Sequence, residues 1–376
     1  MMSDYSTKKN NPSGARCVVM PNPAVSDLAE AVQYNCHISD ARYGADDSLC
    51  VYLMKMREYF RWEKHLPYGA SLEREQVGEW LQAREQLWEE LEGAELRPIE
   101  IDGACYDPFD AEAINARLAP RGLVYSGGLG NRSKPHFFLG ALEQRRSNQG
   151  YSVFVVANEY ARDLTAPPAM TLGRTIFVRR EALRRFLWEK LEGWRWNRPD
   201  NALGRAFACY DFEEALEASL DAMTEREIKT LLLHEQGEYE AGQCLGEDWN
   251  AMLMDLSRTP AELMARAVRD HLADCLVTLP ALADTGEPSS LHLYIGTLTG
   301  MRQHLFPTLR DAYAAWLEDR DHGLFTRIAD QGRAHWERVA DGMLTLWRRD
   351  GADDTPDAGP DAFPNAIRTL VEANRL

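Results

Sequence analysis

Apolar positions recur at helical spacing along the first part of the chain and set its first elements. Leu28, Ala31, Val32, Asn35 and Cys36 fall on one stripe, residues 48–66 are apolar almost all round, and residues 71–91 are amphipathic, so helices are predicted from about 26 to 95. From about 96 to 197 the period shortens. Runs of β type at 96–101, 123–126, 136–139, 151–157 and 175–178 are punctuated by Gly and Pro and alternate with helical stretches at 110–118, 141–146 and 180–194. Past Arg198-Pro199-Asp200 the pattern is helical to the end. Thr224 with Glu227 makes a capping box and Gly242 a stop, Thr259-Pro260-Ala261-Glu262 joins a capping box to a proline at the first helical position, and Pro280 closes that helix. The expectation is an α+β fold, mostly helical. It divides into a flexible tail (1–24), a helical N-terminal domain (25–95), an α/β region with a mixed sheet (96–200), a helical region (201–350), and a Pro/Asp/Gly linker with a terminal helix (351–376).

The helix expected around Thr230 to Gly242 carries the densest chemistry. Ile228, Leu231, Leu232, Tyr239 and Gly242 mark its buried stripe, and Glu235 and Glu238 lie on that same stripe, where carboxylates need partners. His234 and Glu238, four residues apart, project one turn apart, the spacing that two ligands of one metal ion require. The other reading is a helix whose glutamates meet arginines at a domain interface. In the run Asn35-Cys36-His37-Ile38-Ser39-Asp40, His37 and Asp40 can share a ligand or bond each other. The next helix holds Lys55, Arg57, Glu58, Arg61 and Glu63 in apolar surroundings, which points to a buried ionic network or to a pocket built from His37, Asp40, Arg57 and Glu58. Ser126 to Lys134 is glycine-rich but lacks a phosphate-loop ending, and reads as a hairpin between two strands. Arg179, Arg180, Arg184 and Arg185, diluted by Glu181, read as a solvated helix start.

The segment Leu232-Leu233-His234-Glu235-Gln236-Gly237-Glu238 resembles the active-site helix of zincin metallopeptidases, with Glu238 where that family has its second histidine. Asp270-His271-Leu272-Ala273-Asp274 is similar to the second helix of the gluzincin branch, and Gly173 to Arg180 to the edge strand that runs beside the substrate in such enzymes. The resemblance implies a zincin-like α/β core and a metal-dependent hydrolase. His234, Glu238 and Asp270 would bind the ion, zinc first, with His271 the alternative third ligand; Glu235 would be the general base and Asp274 would orient a ligand from behind. A peptide substrate would pair with strand 175–178. The run from Asn35 to Glu63 separately resembles the opening signature of an uncharacterised family of bacterial proteins with no known activity.

Two other classes stay open. A dimetal carboxylate oxidoreductase would gather His37, Asp40, Glu58, Glu235, Glu238, His271 and Asp274 around two iron or manganese ions. A non-catalytic interaction protein would keep a metallopeptidase-like scaffold whose ligands have drifted. Composition narrows the partners. With 376 residues, 45% hydrophobic and 27% charged, the chain is an ordinary folded protein, and 59 acidic against 42 basic residues give a net charge of −17. That charge opposes general affinity for nucleic acid or anionic membrane, leaving a small-molecule or peptide substrate. No run reaches the ~20 apolar residues of a membrane span and the start is polar, so a cytoplasmic location is expected. Seven cysteines without a Cys-x-x-Cys pair read as reduced core thiols.

Overall fold

A computed structural model describes residues 23–44, 48–130, 133–148, 150–350 and 362–376; residues 1–22 of the tail expected at 1–24, Cys17 and residues 351–361 of the expected linker lie outside them, and the first helix already begins at Pro23. The chain is a mixed α+β protein and mostly helical. Three helices come first: α1 (Pro23–Tyr43), α2 (Leu49–Glu63) and α3 (Arg74–Leu91). A short antiparallel ribbon follows, β1 (Ile99–Ile101) with β2 (Ala104–Tyr106), then α4 (Ala111–Leu118), whose cap Asp110 accepts from the Ala113 N–H at 3.0 Å. The main sheet comprises β3 (Leu123–Leu129), β4 (Pro135–Ser147), β5 (Ser152–Arg162), β6 (Ala169–Leu172) and β7 (Thr175–Arg179), in the order β3-β4-β5-β7-β6. Only β5 and β7 run parallel.

The remainder is helical: α5 (Arg180–Asn197), α6 (Ala202–Phe207), α7 (Leu216–Leu245), α8 (Glu247–Asp255) and α9 (Pro260–Ala273). A π turn (Asp274–Thr278) leads into α10 (Leu279–Thr285), followed by α11 (Pro288–Thr297), α12 (Gly300–Leu305), α13 (Pro307–Asp319), α14 (Gly323–Asp350) and α15 (Ala362–Ala373).

Strand alternation sorts the core. Val153, Val155, Ile176 and Val178 face α7 and meet its Ile228, Leu231 and Leu232, while Phe154, Val156 and Phe177 pack on the opposite face with Val124 and Phe138. Tyr125, Phe137 and Leu139 are covered by Val32 and Cys36 of α1 and by Ile114 and Leu118 of α4. A separate core around Trp249, Trp316 and Trp336 holds the C-terminal helices together.

Several expectations are corrected. Residues 141–146, helix formers by composition, are strand, because β4 continues through Ser147 in register with β5 (Arg146↔Val153, Ser147↔Ser152) and hairpin pairing overrides propensity. Strand 175–178 exists and lies against α7, but it is not the edge: β6 covers it. Thr224 does not cap α7. The helix starts eight residues earlier, where Leu220 and Met223 bury against α5 and α6, and the Thr224 hydroxyl donates back to the Leu220 carbonyl at 2.6 Å. Its stop is Gly246, at φ +75°, rather than Gly242. Pro280 does not end a helix either; it sits in the first turn of α10, directly after the π turn, where its missing N–H is tolerated, and the rod stops at Gly286 with φ +63°. Of the six described cysteines, Cys36 and Cys275 are buried, whereas Cys50, Cys105, Cys209 and Cys244 are exposed and cannot be core thiols. No described helix is long and apolar enough to cross a membrane.

Candidate functional site

His234 stands mid-way along α7, and one glycine determines what it meets. A Cβ built at Gly237 would lie 2.9 Å from the carbonyl carbon of Ala273 and 3.2 Å from its Cα, so only glycine lets α7 cross so close to the end of α9. The close crossing places His234 Nδ1 2.8 Å from Asp274 Oδ1 at the first residue of the π turn, a kind of irregularity frequent at functional sites. Asp274 is fully buried, and its other oxygen accepts from the Tyr294 hydroxyl of α11 at 2.7 Å and from the Arg302 guanidinium of α12. A carboxylate held this way fixes the ring orientation and keeps the proton on Nδ1. Nε2 then faces Glu238 Oε1 at 3.5 Å.

Arg269 of α9 completes the group, with Nη2 3.0 Å from Glu238 Oε2 and 3.6 Å from Asp270 Oδ1. When His234 carries its proton, the three cations His234, Arg269 and Arg302 balance the three carboxylates Glu238, Asp270 and Asp274. The environment pulls the titrations apart. Burial disfavours a charged His234, but the hydrogen bond and charge of Glu238 outweigh it and raise the imidazole above its ordinary value. Burial likewise opposes ionisation of Glu238, yet Arg269 and then His234 hold it well below the usual carboxylate range. Glu235, buried and accepting from the Thr171 hydroxyl of β6 at 2.7 Å, is pushed up to about 7 by burial and by the charge of Glu238.

The structure thus brings His234, Glu238, Asp270 and Asp274 together, but with Arg269 between Glu238 and Asp270. His271 is elsewhere. It points into the C-terminal core, stacked on Trp336 at 5.0 Å and edge-on to Phe306 at 5.2 Å, with Nε2 3.0 Å from the Arg302 carbonyl oxygen. Burial holds it neutral, its pKa well below the ordinary histidine value. Among the described residues no group of three or more His, Cys, Asp or Glu is arranged to hold a metal ion. Of the residues expected as ligands, Glu238 and Asp270 both meet the Arg269 guanidinium, and His234 meets Glu238 and Asp274.

His37, Asp40, Arg57 and Glu58 bond to different partners, none of them in the His234 group. His37 sits among donors, with Arg84 Nη1 2.8 Å from Nε2 and Trp88 Nε1 donating to Nδ1 at 3.3 Å; burial, then the charge of Arg84, lowers its pKa to about 3. Asp40 accepts from Lys134 Nζ at 3.0 Å and from the Leu164 N–H at 2.8 Å. Glu58 is shared by Arg57 at 2.8 Å and Arg61 at 3.2 Å, and Arg57 also reaches Glu192. These are structural ion pairs, each carboxylate satisfied within the fold. Tyr294, Arg302, Arg269 and Thr171 join the group from other elements, with no spacing relation to α7 that marks them in the sequence.

On the opposite face of the sheet from α7 lies an open cleft of about 1120 Å³, lined by Gly127, Gly128, Phe154, Phe177, Arg145 and Arg174 among others. Tyr239 of α7 reaches its rim, donating to the Gly150 carbonyl at 3.1 Å and packing on Tyr151 with ring centroids 4.9 Å apart.

Two profiles of one family match the chain: the N-terminal domain of a family of unknown function (DUF6866) over residues 27–179, and the C-terminal domain of the same family over residues 184–362. No curated protein and no solved structure matches it.

Proposed function

Since the chain belongs to the two-domain family of unknown function DUF6866, which brings no activity with it, we propose from its own residues that it is a hydrolase whose acid–base site is the His234–Asp274–Glu238 group together with Glu235. The observation that carries this is a pair of carboxylates one helical turn apart whose titrations are driven in opposite directions, Glu235 up to about 7 and Glu238 far down, beside a histidine anchored by a buried aspartate. At neutral pH Glu235 can take a proton from water as the hydroxide adds to an acyl carbon. His234, whose hold on its proton Glu238 strengthens, can deliver a proton to the departing atom. Arg269, whose Nε has no hydrogen-bond partner among the described residues, would meet the negative charge that develops.

The test is a pH profile of kcat/KM on chromogenic ester and fluorogenic peptide-bond substrates, with wild type and Glu235→Gln. Loss of a general base lowers kcat/KM by ~10² to 10⁴-fold with the fold intact. A folded wild type inert across both substrate classes, or a Glu235→Gln variant as active as wild type, would sink the reading and favour an interaction protein on this scaffold.

A second reading, the zincin-like one, rests on a specific distance. His234 Nε2 and Glu238 Oε1 at 3.5 Å are spaced as two ligands of one divalent ion would be, with Asp274 behind the ring. It falls one protein ligand short and requires Arg269 to leave Glu238. Metal analysis of the purified chain separates the two: one tightly held ion per chain, lost in His234→Ala, supports the second reading.

A further inference from the structure

Where β5, β7, α2 and α5 meet, buried donors outnumber acceptors. Arg162, 1% exposed, lies between aromatic rings of α2, its guanidinium carbon 5.1 Å from the Tyr59 ring centre and 4.9 Å from that of Trp62. Its Nε has no hydrogen-bond partner among the described residues, and Glu159, the carboxylate whose charge it feels, bonds to Arg179 instead. Its cross-strand partner is Phe138, and over the ring of Phe138, at 4.3 Å, sits the guanidinium of Arg179. Arg179 Nε donates to Glu159 Oε1 at 2.6 Å while Nη2 has no partner among the described residues. Arg185 donates from Nη1 to Glu189 at 2.6 Å and from Nη2 to the Thr165 and Ala166 carbonyls at 2.8 Å, and its Nε is likewise left over. All three arginines bracket one stretch of chain, 159–167. Arg179 and Arg185, expected on a solvated helix start, are instead 1% and 6% exposed.

The unsatisfied buried atoms of this region are Trp62 Nε1, Arg162 Nε, Arg179 Nη2 and Arg185 Nε, four donors, against the single acceptor Glu159 Oε2. An unpaired buried donor costs about 1–3 kcal/mol, more when charged, so three arginines that all reach one stretch of chain and each keep a donor over call for a further acceptor. The charges point the same way below neutrality. Glu159 and Glu189 offset two of the three arginines, and Glu181, whose side chain accepts from the Glu159 N–H at 2.7 Å, is lifted to about 7 by burial and by the charge of Glu159, so its carboxyl offsets the third only as pH rises past neutrality. Arg162 is itself weakened as an acid–base partner: burial and the neighbouring Arg185 lower its pKa, which an anion would reverse.

We propose that Arg162, Arg179 and Arg185 hold one oxyanion, a phosphoryl or a carboxylate group, at the junction of the two domains of the family. Arg162 and Arg179 lie within the N-terminal match and Arg185 within the C-terminal one, so the bound group ties the halves together. Fork-shaped guanidinium donors suit planar or tetrahedral oxygen sets, and the rings of Tyr59 and Trp62 keep Arg162 in place when the site is empty.

The experiment uses the full chain, dialysed exhaustively into Tris chloride, and follows melting temperature and heat of binding on titration with inorganic phosphate, sulfate and succinate. Saturable stabilisation is expected from phosphate and sulfate if the group is phosphoryl, and from succinate if it is a carboxylate. Arg162→Gln should weaken binding about ten- to a hundredfold, the value of one charge-assisted hydrogen bond. Arg198→Gln, on an exposed surface pair, should bind as wild type does. No response of folded wild type to any of the three anions, or a full response retained in Arg162→Gln, overturns the site and assigns the donors to ordered water. Should Arg162→Gln fail to fold, native mass spectrometry of wild type decides: one bound anion per chain supports the proposal, and a bare chain that also fails to titrate refutes it.

Discussion

Two glycines five residues apart on α7 should respond to the same substitution with opposite signs. In an α-helix interior, Gly→Ala is worth up to ~1 kcal/mol of added stability through propensity alone. Gly242 has open space where a Cβ would go, with no heavy atom within 4 Å, so Gly242→Ala should collect that gain. Gly237 is different. Its Cβ would sit 2.9 Å from the Ala273 carbonyl carbon, closer still to the carbonyl oxygen, and these are backbone atoms that cannot swing aside. Restoring ordinary contact distances needs the two helices to part by about 1 Å, in an interior that compresses little. Overpacking of this kind costs ~1–3 kcal/mol, and with backbone on both sides of the contact the cost lies above the gain from propensity. The movement also acts on the site. A 1 Å retreat of the α9 end would stretch His234 Nδ1 to Asp274 Oδ1 from 2.8 Å beyond the reach of a hydrogen bond, removing the anchor of the imidazole. The assay is urea unfolding of the two variants beside wild type, with the His234 titration followed by NMR. Gly242→Ala should shift the midpoint up and leave the titration alone; Gly237→Ala should shift the midpoint down and move the His234 pKa. A Gly237→Ala protein as stable as Gly242→Ala would show that the crossing of α7 over α9 is not as tight as described.

His37 supplies a pH test with a defined sign. Its folded-state pKa is depressed to about 3, so its contribution is present above the ordinary value of 6.5 and is lost as pH falls toward 3, amounting to roughly 4–5 kcal/mol for the full shift. His37→Gln, which does not titrate, should flatten that part of the acid limb of stability against pH; an unchanged slope would mean that His37 is not held neutral. Thiol labelling checks the burial map. Under native conditions maleimide should modify Cys50, Cys105, Cys209 and Cys244 and spare Cys36 and Cys275 until urea is added, and early labelling of Cys275 would contradict the packing around the π turn.

Much of the helical architecture and four of the main-sheet strands were legible because each announces itself within a few residues, by stripe or by alternation. What escaped depends on distant partners. The 141–146 segment is composed of helix formers and becomes strand only because residues 152–156 lie opposite. The helical cap at Thr224 is chemically sound in isolation, but Leu220 and Met223 find a core to bury in and the helix extends past it. The candidate site divides the same way. Along one helix the spacing of His234 and Glu238 is fixed by the helical repeat, so their proximity could be read directly. Which cation neutralises the carboxylates could not. Arg269 and Arg302 reach the cluster from α9 and α12, and nothing in the order of residues separates a guanidinium from a metal ion as the source of positive charge. Asp274 reaches the imidazole because the Ala-Asp pair ends the helix that Gly237 lets approach, and a close crossing of two helices leaves no mark in residue spacing.

A π turn holds one residue more than the α-helix it interrupts, so everything after Asp274–Thr278 is rotated by about 100° relative to an unbroken helix. Upstream of it, the phase of α9 aims Asp274 at His234; downstream, Leu279 and Leu282 enter the C-terminal core from the shifted phase. Loss of a single codon between Cys275 and Thr278 would restore a regular helix, and that helix could keep either the aspartate on the histidine or the leucines in the core, but not both. Chain length in this one segment is therefore pinned from two sides. A deletion that a surface loop would absorb unnoticed here sets site against core.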